Sequence, residues 1–315
     1  MQSTQCTKAF LKGIIDFAGM FPPAKLALKD ALGSFGTYLR TDEGIMLSHF
    51  LCPMSSLNDL GYHMKTYSGP TPLLISAIGS PIKKGSAFSS TLGDDLNAII
   101  DFHGRIEGKA IVKMYETKLP CTQTSTTHLT VDIVELLQNH VSPFFEISLE
   151  DNWREIIAQV AEAFHATEQE FRAGGLPTGV KLRCGGVKQS AFPSVEEVAS
   201  FIAACREHCV PMKFTAGLHH PFRHDCPKLK CKNHGFVNVF AAGILAWVHD
   251  LTQDDISEIV ADENPDNFSF DEGFKWKNLS ASSQEIEKIR KQIFPSFGCC
   301  SFTEPLKDLK TLGWI

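Results

Sequence analysis

Two short runs of sequence decide the fold prediction: Gly-Val-Lys-Leu-Arg-Cys-Gly-Gly at 179–186, and Pro-Met-Lys-Phe-Thr-Ala-Gly-Leu-His-His-Pro at 211–221. Each run is typical of a short buried strand that ends in glycine. Between them, Ser-Val-Glu-Glu at 194–197 matches a capping box and predicts the start of a helix. A strand, a helix and a second strand in this order are the building unit of an α/β protein.

The same alternation extends along the chain. Strands are predicted at 13–19, 45–53, 72–79, 109–116, 141–149, 179–186, 211–221 and 295–302, with helical spacing between them. Several of these runs are apolar without alternation, as parallel strands buried on both faces require. We therefore expect a single-domain (β/α)8 barrel of the TIM type over residues 1–315, with a long loop at 218–234 after the seventh strand. An open doubly wound sheet is the alternative, although no Gly-x-Gly-x-x-Gly follows an early strand.

Composition narrows the class of protein. Hydrophobic residues make up 43% and charged residues 21%, which is a globular composition. The net charge of −6 and the lack of a long basic run argue against nucleic acid and anionic membranes as partners. No apolar run approaches the roughly 18 residues of a membrane span. Ten cysteines, without a signal-peptide pattern, predict a cytoplasmic protein with reduced thiols, and homo-oligomer formation is left open.

Active sites of such barrels lie at the C-terminal ends of the strands. Because side chains alternate along a strand, Lys181 shares a face with Arg183, and Lys213 shares one with Thr215. Polar residues in or at the end of the other strands complete a candidate set: Asp16, Glu116 and Glu146. Burying this much charge is costly unless it is paired, which favours a functional site. The alternative is a structural layer of buried salt bridges between the two lysines and the two glutamates.

A lysine on the sixth strand, a glycine turn, a capped helix, and a seventh-strand lysine followed by Thr-Ala-Gly resemble the deoxyribose-phosphate aldolase branch of class I aldolases over residues 179–217. The resemblance implies that Lys181 forms a Schiff base and that Lys213 keeps it partly unprotonated. Thr-Ala-Gly-Leu-His-His-Pro and Cys-Ser-Phe-Thr-Glu-Pro are also similar to phrases in uncharacterised bacterial barrel proteins, which implies no activity.

The chemistry expected is that of a lyase of the aldolase type, acting without a cofactor on a small anionic carbonyl substrate. A free lysine has a pKa of about 10.4, so a second cation and a desolvated barrel mouth are expected to lower the pKa of Lys181. Glu116 and Glu146 are the candidate groups for moving protons. The candidate substrate-binding residues are Asp16, Arg183, Gly185, Gly186, Thr215, His219 and His220.

A second hypothesis rests on the loop at 218–234, which is rich in imidazole and thiol groups. Its candidate ligands for zinc or another divalent metal are His220, His224, Cys226, Cys231 and His234. With a bound metal, the protein would be a metal-dependent lyase or hydrolase. A third hypothesis is an interaction protein on a barrel scaffold, which would not need ionisable groups gathered at strand ends.

Overall fold

The structure is a computed structural model that describes residues 4–82, 87–119, 126–149, 152–171 and 178–315. Eight parallel strands close into a barrel, which confirms the predicted (β/α)8 fold. In order around the barrel they are β1 (Ile15–Phe17), β2 (Leu47–Pro53), β3 (Leu73–Ile78), β4 (Ala110–Lys118), β5 (Ser142–Ile147), β6 (Gly179–Arg183), β7 (Met212–Thr215) and β13 (Phe297–Cys299).

Helices separate the strands along the chain. They are α1 (Gln5–Leu11), α2 (Leu28–Tyr38), α3 (Met54–His63), α4 (Phe88–Ile106), α5 (Thr126–Gln138), α6 (Trp153–Phe171), α7 (Val195–Glu207), α8 (Phe236–His249), α9 (Gln253–Ala261), α10 (Ser283–Gln292) and α11 (Thr303–Thr311). The predicted capping box is present, because the Ser194 side chain accepts from the Glu197 backbone and the Glu197 side chain from the Ser194 backbone. In the described part of the chain, no helix combines the length and the apolar character that crossing a bilayer needs.

The sixth and seventh strands end earlier than the sequence predicts. Strand β7 stops at Thr215 because Ala216 and Gly217 both adopt left-handed backbone angles, with φ values of 61° and 74°. The turn after β6 packs against this one: a Cβ atom placed on Gly185 would lie 2.7 Å from the Gly217 Cα. Glycine is therefore required where the two turns meet, at the C-terminal end of the barrel.

Two segments contain strands that the sequence interpretation missed. The long loop after β7 includes a hairpin of β8 (His224–Cys226) and β9 (Cys231–Asn233). The acidic stretch at 250–272, where no strand was predicted, holds α9 and the first strand of an antiparallel sheet. That sheet comprises β10 (Phe268–Phe270), β11 (Gly273–Trp276) and β12 (Leu279–Ser282). The aromatic side chains of this sheet are buried, and the rings of Phe270 and Phe274 contact Phe10 on α1. The high acidic content of the stretch therefore concealed a period of two.

Candidate active site

The barrel interior holds a cluster of charged side chains. They point inward because alternate residues of each strand face the inside of the barrel. Lys181 on β6 and Lys213 on β7 are direct neighbours in the sheet, and Glu146 on β5 is the other neighbour of Lys181. Glu116 lies on β4, beyond β5. The ion pairs of the two lysines with Glu116 and Glu146, predicted from the sequence as the structural alternative, are present in the structure.

Glu116 is the centre of this cluster, since its carboxylate contacts both lysines. Lys181 Nζ donates to Oε2 at 2.8 Å, and Lys213 Nζ donates to Oε1 at 2.6 Å. The Ser76 hydroxyl on β3 also donates to Oε1, at 2.7 Å. One carboxylate thus holds the two ammonium groups side by side.

Lys213 is the innermost cation and is fully enclosed. Its ammonium donates to Asp16 Oδ2 at 2.6 Å and lies 3.4 Å from the Met114 sulfur. Asp16 also accepts from the Ser296 hydroxyl at 2.5 Å and from the His49 backbone N–H at 3.1 Å. Asp16 has no exposed surface, so the structure places this predicted substrate-binding residue beneath the site, where it anchors Lys213.

The cluster opens to solvent at Glu146 and Arg183. Glu146 Oε2 lies 3.0 Å from Lys181 Nζ, and the Arg183 Nε donates to Glu146 Oε1 at 3.2 Å. The Arg183 side chain is 50% exposed, compared with 17% for Glu146 and 5% for Lys181. Charges therefore alternate in sign from the mouth inward, through Arg183, Glu146, Lys181, Glu116, Lys213 and Asp16.

Against the effect of burial, the neighbouring carboxylates raise the pKa values of both lysines, whereas a lowered pKa of Lys181 was predicted from the sequence. Burial lowers the pKa of Lys181, but Glu116 and Glu146 outweigh it and raise that pKa above its usual value. Burial likewise lowers the pKa of Lys213, and Asp16 and Glu116 raise it by more. The expected depression of the Lys181 pKa by its neighbouring cation is therefore wrong for this state, because each lysine contacts two carboxylates.

The acids shift in the complementary direction. Burial raises the pKa of Glu116, but the charges of Lys181 and Lys213 outweigh it and lower that pKa to about 2. Burial also raises the pKa of Asp16, and contact with Lys213 and His49 brings it well below the usual range. All these groups are consequently charged near neutral pH, and the six side chains carry three positive and three negative charges.

Stability should depend on pH through this cluster. The folded pKa values of Asp16 and Glu116 lie below unfolded values of about 3.9 and 4.3, so their contribution is present above those values and lost as pH falls through the folded ones. The lysine pKa values are raised, so the same contribution is present below about pH 10.4 and lost as pH rises further. The urea midpoint of unfolding should therefore be higher for the wild-type protein than for the Asp16→Asn/Lys213→Met variant, and the difference should be larger at pH 7 than at pH 3. An equal margin at both pH values would contradict these ion pairs.

Three other predicted residues lie at the ends of β6 and β7. Thr215 is the last residue of β7, and its hydroxyl faces Gly298 on β13. Gly185 packs on the β7 turn as described, and a Cβ atom on Gly186 would lie 2.7 Å from the Ala191 side chain. All three therefore lie at the rim of the barrel.

His219 and His220 both contact α11. His219 Nδ1 lies 2.6 Å from Glu304 Oε2, and its Nε2 lies 3.4 Å from the Cys300 sulfur. His220 Nδ1 lies 2.6 Å from Asp308 Oδ2. The pair therefore belongs to the side of the mouth formed by β7, β13 and α11.

The candidate metal ligands of the loop each contact a different group. The His224 ring contacts a backbone carbonyl, and Cys226 and Cys231 face each other across the hairpin as free thiols. The His234 ring contacts the Pro193 carbonyl at one nitrogen and the guanidinium of Arg223 at the other. Among the described residues, which include the whole of 218–234, no group of three or more His, Cys, Asp or Glu is arranged to hold a metal ion.

The sequence interpretation left three polar residues out of the site. Ser76 is a polar residue inside an otherwise apolar strand, and Ser296 immediately precedes β13. His49 lies on β2, and its ring Nδ1 lies 3.0 Å from Asp16 Oδ1. A polar side chain within a continuously apolar strand is the signal that could have identified Ser76 and His49.

A closed barrel of this type supports many unrelated reactions. The charged cluster inside the barrel is therefore the main guide to what the protein does. Neither a protein-family model nor a curated protein matches this chain.

Proposed function

We propose that the protein is a lyase of the aldolase type, in which Lys181 forms a Schiff base with a small anionic carbonyl substrate. The observation that carries the proposal is the pair of buried ammonium groups held on one carboxylate directly inside the mouth of the barrel. Paired amines and carboxylates in a desolvated site are the groups that imine chemistry needs.

Lys181 is the better candidate nucleophile because it lies nearer to solvent: its side chain is 5% exposed, compared with 1% for Lys213. Its neighbour Glu146 is partly exposed, and Arg183 beside Glu146 faces solvent. Lys213 is enclosed by Asp16 and Glu116. The role proposed for Lys213 is therefore to remain protonated and to hold the Glu116 carboxylate beside Lys181.

An amine must lose its proton before it attacks a carbonyl, and Glu146 is the acceptor that supports this step. Burial raises the pKa of Glu146, but the charges of Lys181 and Arg183 outweigh it and lower that pKa. An anionic group of the substrate that binds Arg183 would compete for this cation and raise the proton affinity of Glu146. The Lys181 proton would then move to Glu146, which would link substrate binding to activation of the amine.

The reaction balances with the groups present. The Lys181 nitrogen adds to the carbonyl carbon, the carbonyl oxygen takes up protons and leaves as water, and an iminium ion remains. This cation accepts the electron pair of the bond between its α and β carbons as that bond breaks, while the β-hydroxyl loses its proton and the β carbon departs as an aldehyde. The remaining enamine takes up a proton, and water hydrolyses the iminium ion to release the second product and restore Lys181. Glu146 and Glu116 are the candidate groups that move protons, while Arg183 and the backbone at 185–186 bind the anionic end.

Reductive trapping tests the proposal. We expect that incubation with sodium borohydride and glyoxylate, pyruvate or glyceraldehyde 3-phosphate adds the reduced substrate to one lysine, which peptide mapping identifies as Lys181. At least one of these compounds should label this buried residue faster than the exposed lysines. If every adduct maps to exposed lysines for the whole panel, the proposed function is wrong.

A further inference from the structure

A second group of reactive side chains lies at the barrel mouth, apart from the lysine pair. The Cys300 sulfur lies 3.4 Å from His219 Nε2, and Nδ1 of the same ring lies 2.6 Å from Glu304 Oε2. A thiol, an imidazole and a carboxylate are thus aligned through the two nitrogens of a single ring.

Three separate elements bring these side chains together. His219 follows the left-handed turn at the end of β7, Cys300 directly follows β13, and Glu304 lies in the first turn of α11. Strands β7 and β13 are neighbours in the barrel, so their C-terminal ends converge. The alignment therefore follows from closure of the barrel at its last strand.

The arrangement matches the requirements of an activated nucleophile. A thiolate is the reactive form of cysteine, and an imidazole within hydrogen-bond reach can take up the thiol proton. A carboxylate on the other ring nitrogen orients the imidazole and stabilises its protonated form. Burial lowers the pKa of His219, but its contacts with Cys300 and Glu304 outweigh burial and raise that pKa to about 9.

The surroundings of the thiol indicate what it would accept. Cys300 is 8% exposed and packs with Ala18 and Leu51, and the partly buried side chains of Phe21 and Ile78 lie against them. This wall is apolar, in contrast to the charged wall formed by Glu146 and Arg183. A short apolar acyl chain fits such a wall better than a sugar or an anion.

We propose that Cys300 is a nucleophilic thiol that accepts a short acyl group from an activated ester or thioester, with His219 as its base and Glu304 as a positioning residue. The thiol proton moves to His219, and the sulfur adds to the acyl carbon. The bond to the leaving group then breaks, and His219 returns the proton to that group. Attack of water on the thioester, again with His219 as the base, releases the acid and restores the thiol.

p-Nitrophenyl butyrate is the probe that tests this inference. We expect release of p-nitrophenolate and a butyryl adduct that peptide fragmentation assigns to Cys300. The Cys300→Ala variant should lose the adduct, and His219→Gln should lower the acylation rate by about 10²-fold or more. Cys299→Ala is the matched control, because it removes the adjacent buried thiol and should leave acylation unchanged.

The positioning role of Glu304 has its own readout. Glu304→Ala should slow acylation, and the conservative Glu304→Asp should restore part of the lost rate, with thermal midpoints recorded for both. An adduct on another residue, or acylation that is equally fast in His219→Gln, would overturn the inference. Acylation of Cys300 and reductive trapping of Lys181 are separate readouts on the wild-type protein, so failure of this inference and failure of the proposed Schiff base are distinguishable.

Discussion

Replacing Lys213 with methionine is expected to lower the free energy of unfolding by about 3–5 kcal/mol, because removal of one partner leaves a buried charge uncompensated. Asp16 would keep its contacts with His49 and Ser296, neither of which supplies the lost ammonium charge. Glu116 would keep Lys181. Urea denaturation followed by circular dichroism measures the loss.

Two comparison variants make this prediction specific. Lys181→Met should cost less, about 1.5–3 kcal/mol, because Glu116 keeps Lys213 and Glu146 keeps Arg183 at a partly exposed position. The double variant Asp16→Asn/Lys213→Met removes both charges and should recover part of the stability that Lys213→Met loses. A Lys213→Met protein as stable as wild type would show that the innermost ion pairs contribute nothing.

The second large effect concerns activity: Lys181→Arg is expected to abolish the fast reductive trapping at residue 181 while the protein stays folded. Arginine keeps the positive charge beside Glu116 and Glu146, but its guanidinium stays protonated and cannot form the imine. Mass spectrometry after borohydride treatment measures the effect. The variant therefore separates a nucleophilic role of Lys181 from a purely structural one.

Lys109→Met is the matched control, since it removes an exposed lysine that precedes β4 at the opposite end of the barrel. It should leave the trapped fraction unchanged. Glu146→Gln should lower the rate of imine formation by roughly 10²-fold, because the amide cannot accept the Lys181 proton. Equally fast trapping in Lys181→Arg would assign the charged cluster to stability alone.

The sequence predicted that the two lysine side chains point into the barrel, but it did not predict which groups they contact there. Alternation along β6 and β7 was enough to put Lys181 and Lys213 on the inner face. It could not reveal that Glu116 bridges them, or that Asp16 anchors Lys213 from a position 197 residues away in sequence. For the same reason the direction of the lysine pKa shifts was mispredicted, since it depends on which charges lie within hydrogen-bond distance.

The sequence by itself determined the barrel and the inward-facing lysines, because continuously apolar strands with helices between them must be buried on both faces. Only the tertiary structure decided what those lysines contact and which groups meet at the mouth. Closure of β13 against β1 and β7 joins the two ends of the chain. This closure brings Asp16 to Lys213, and Cys300 to His219, through contacts that no local pattern of residues encodes.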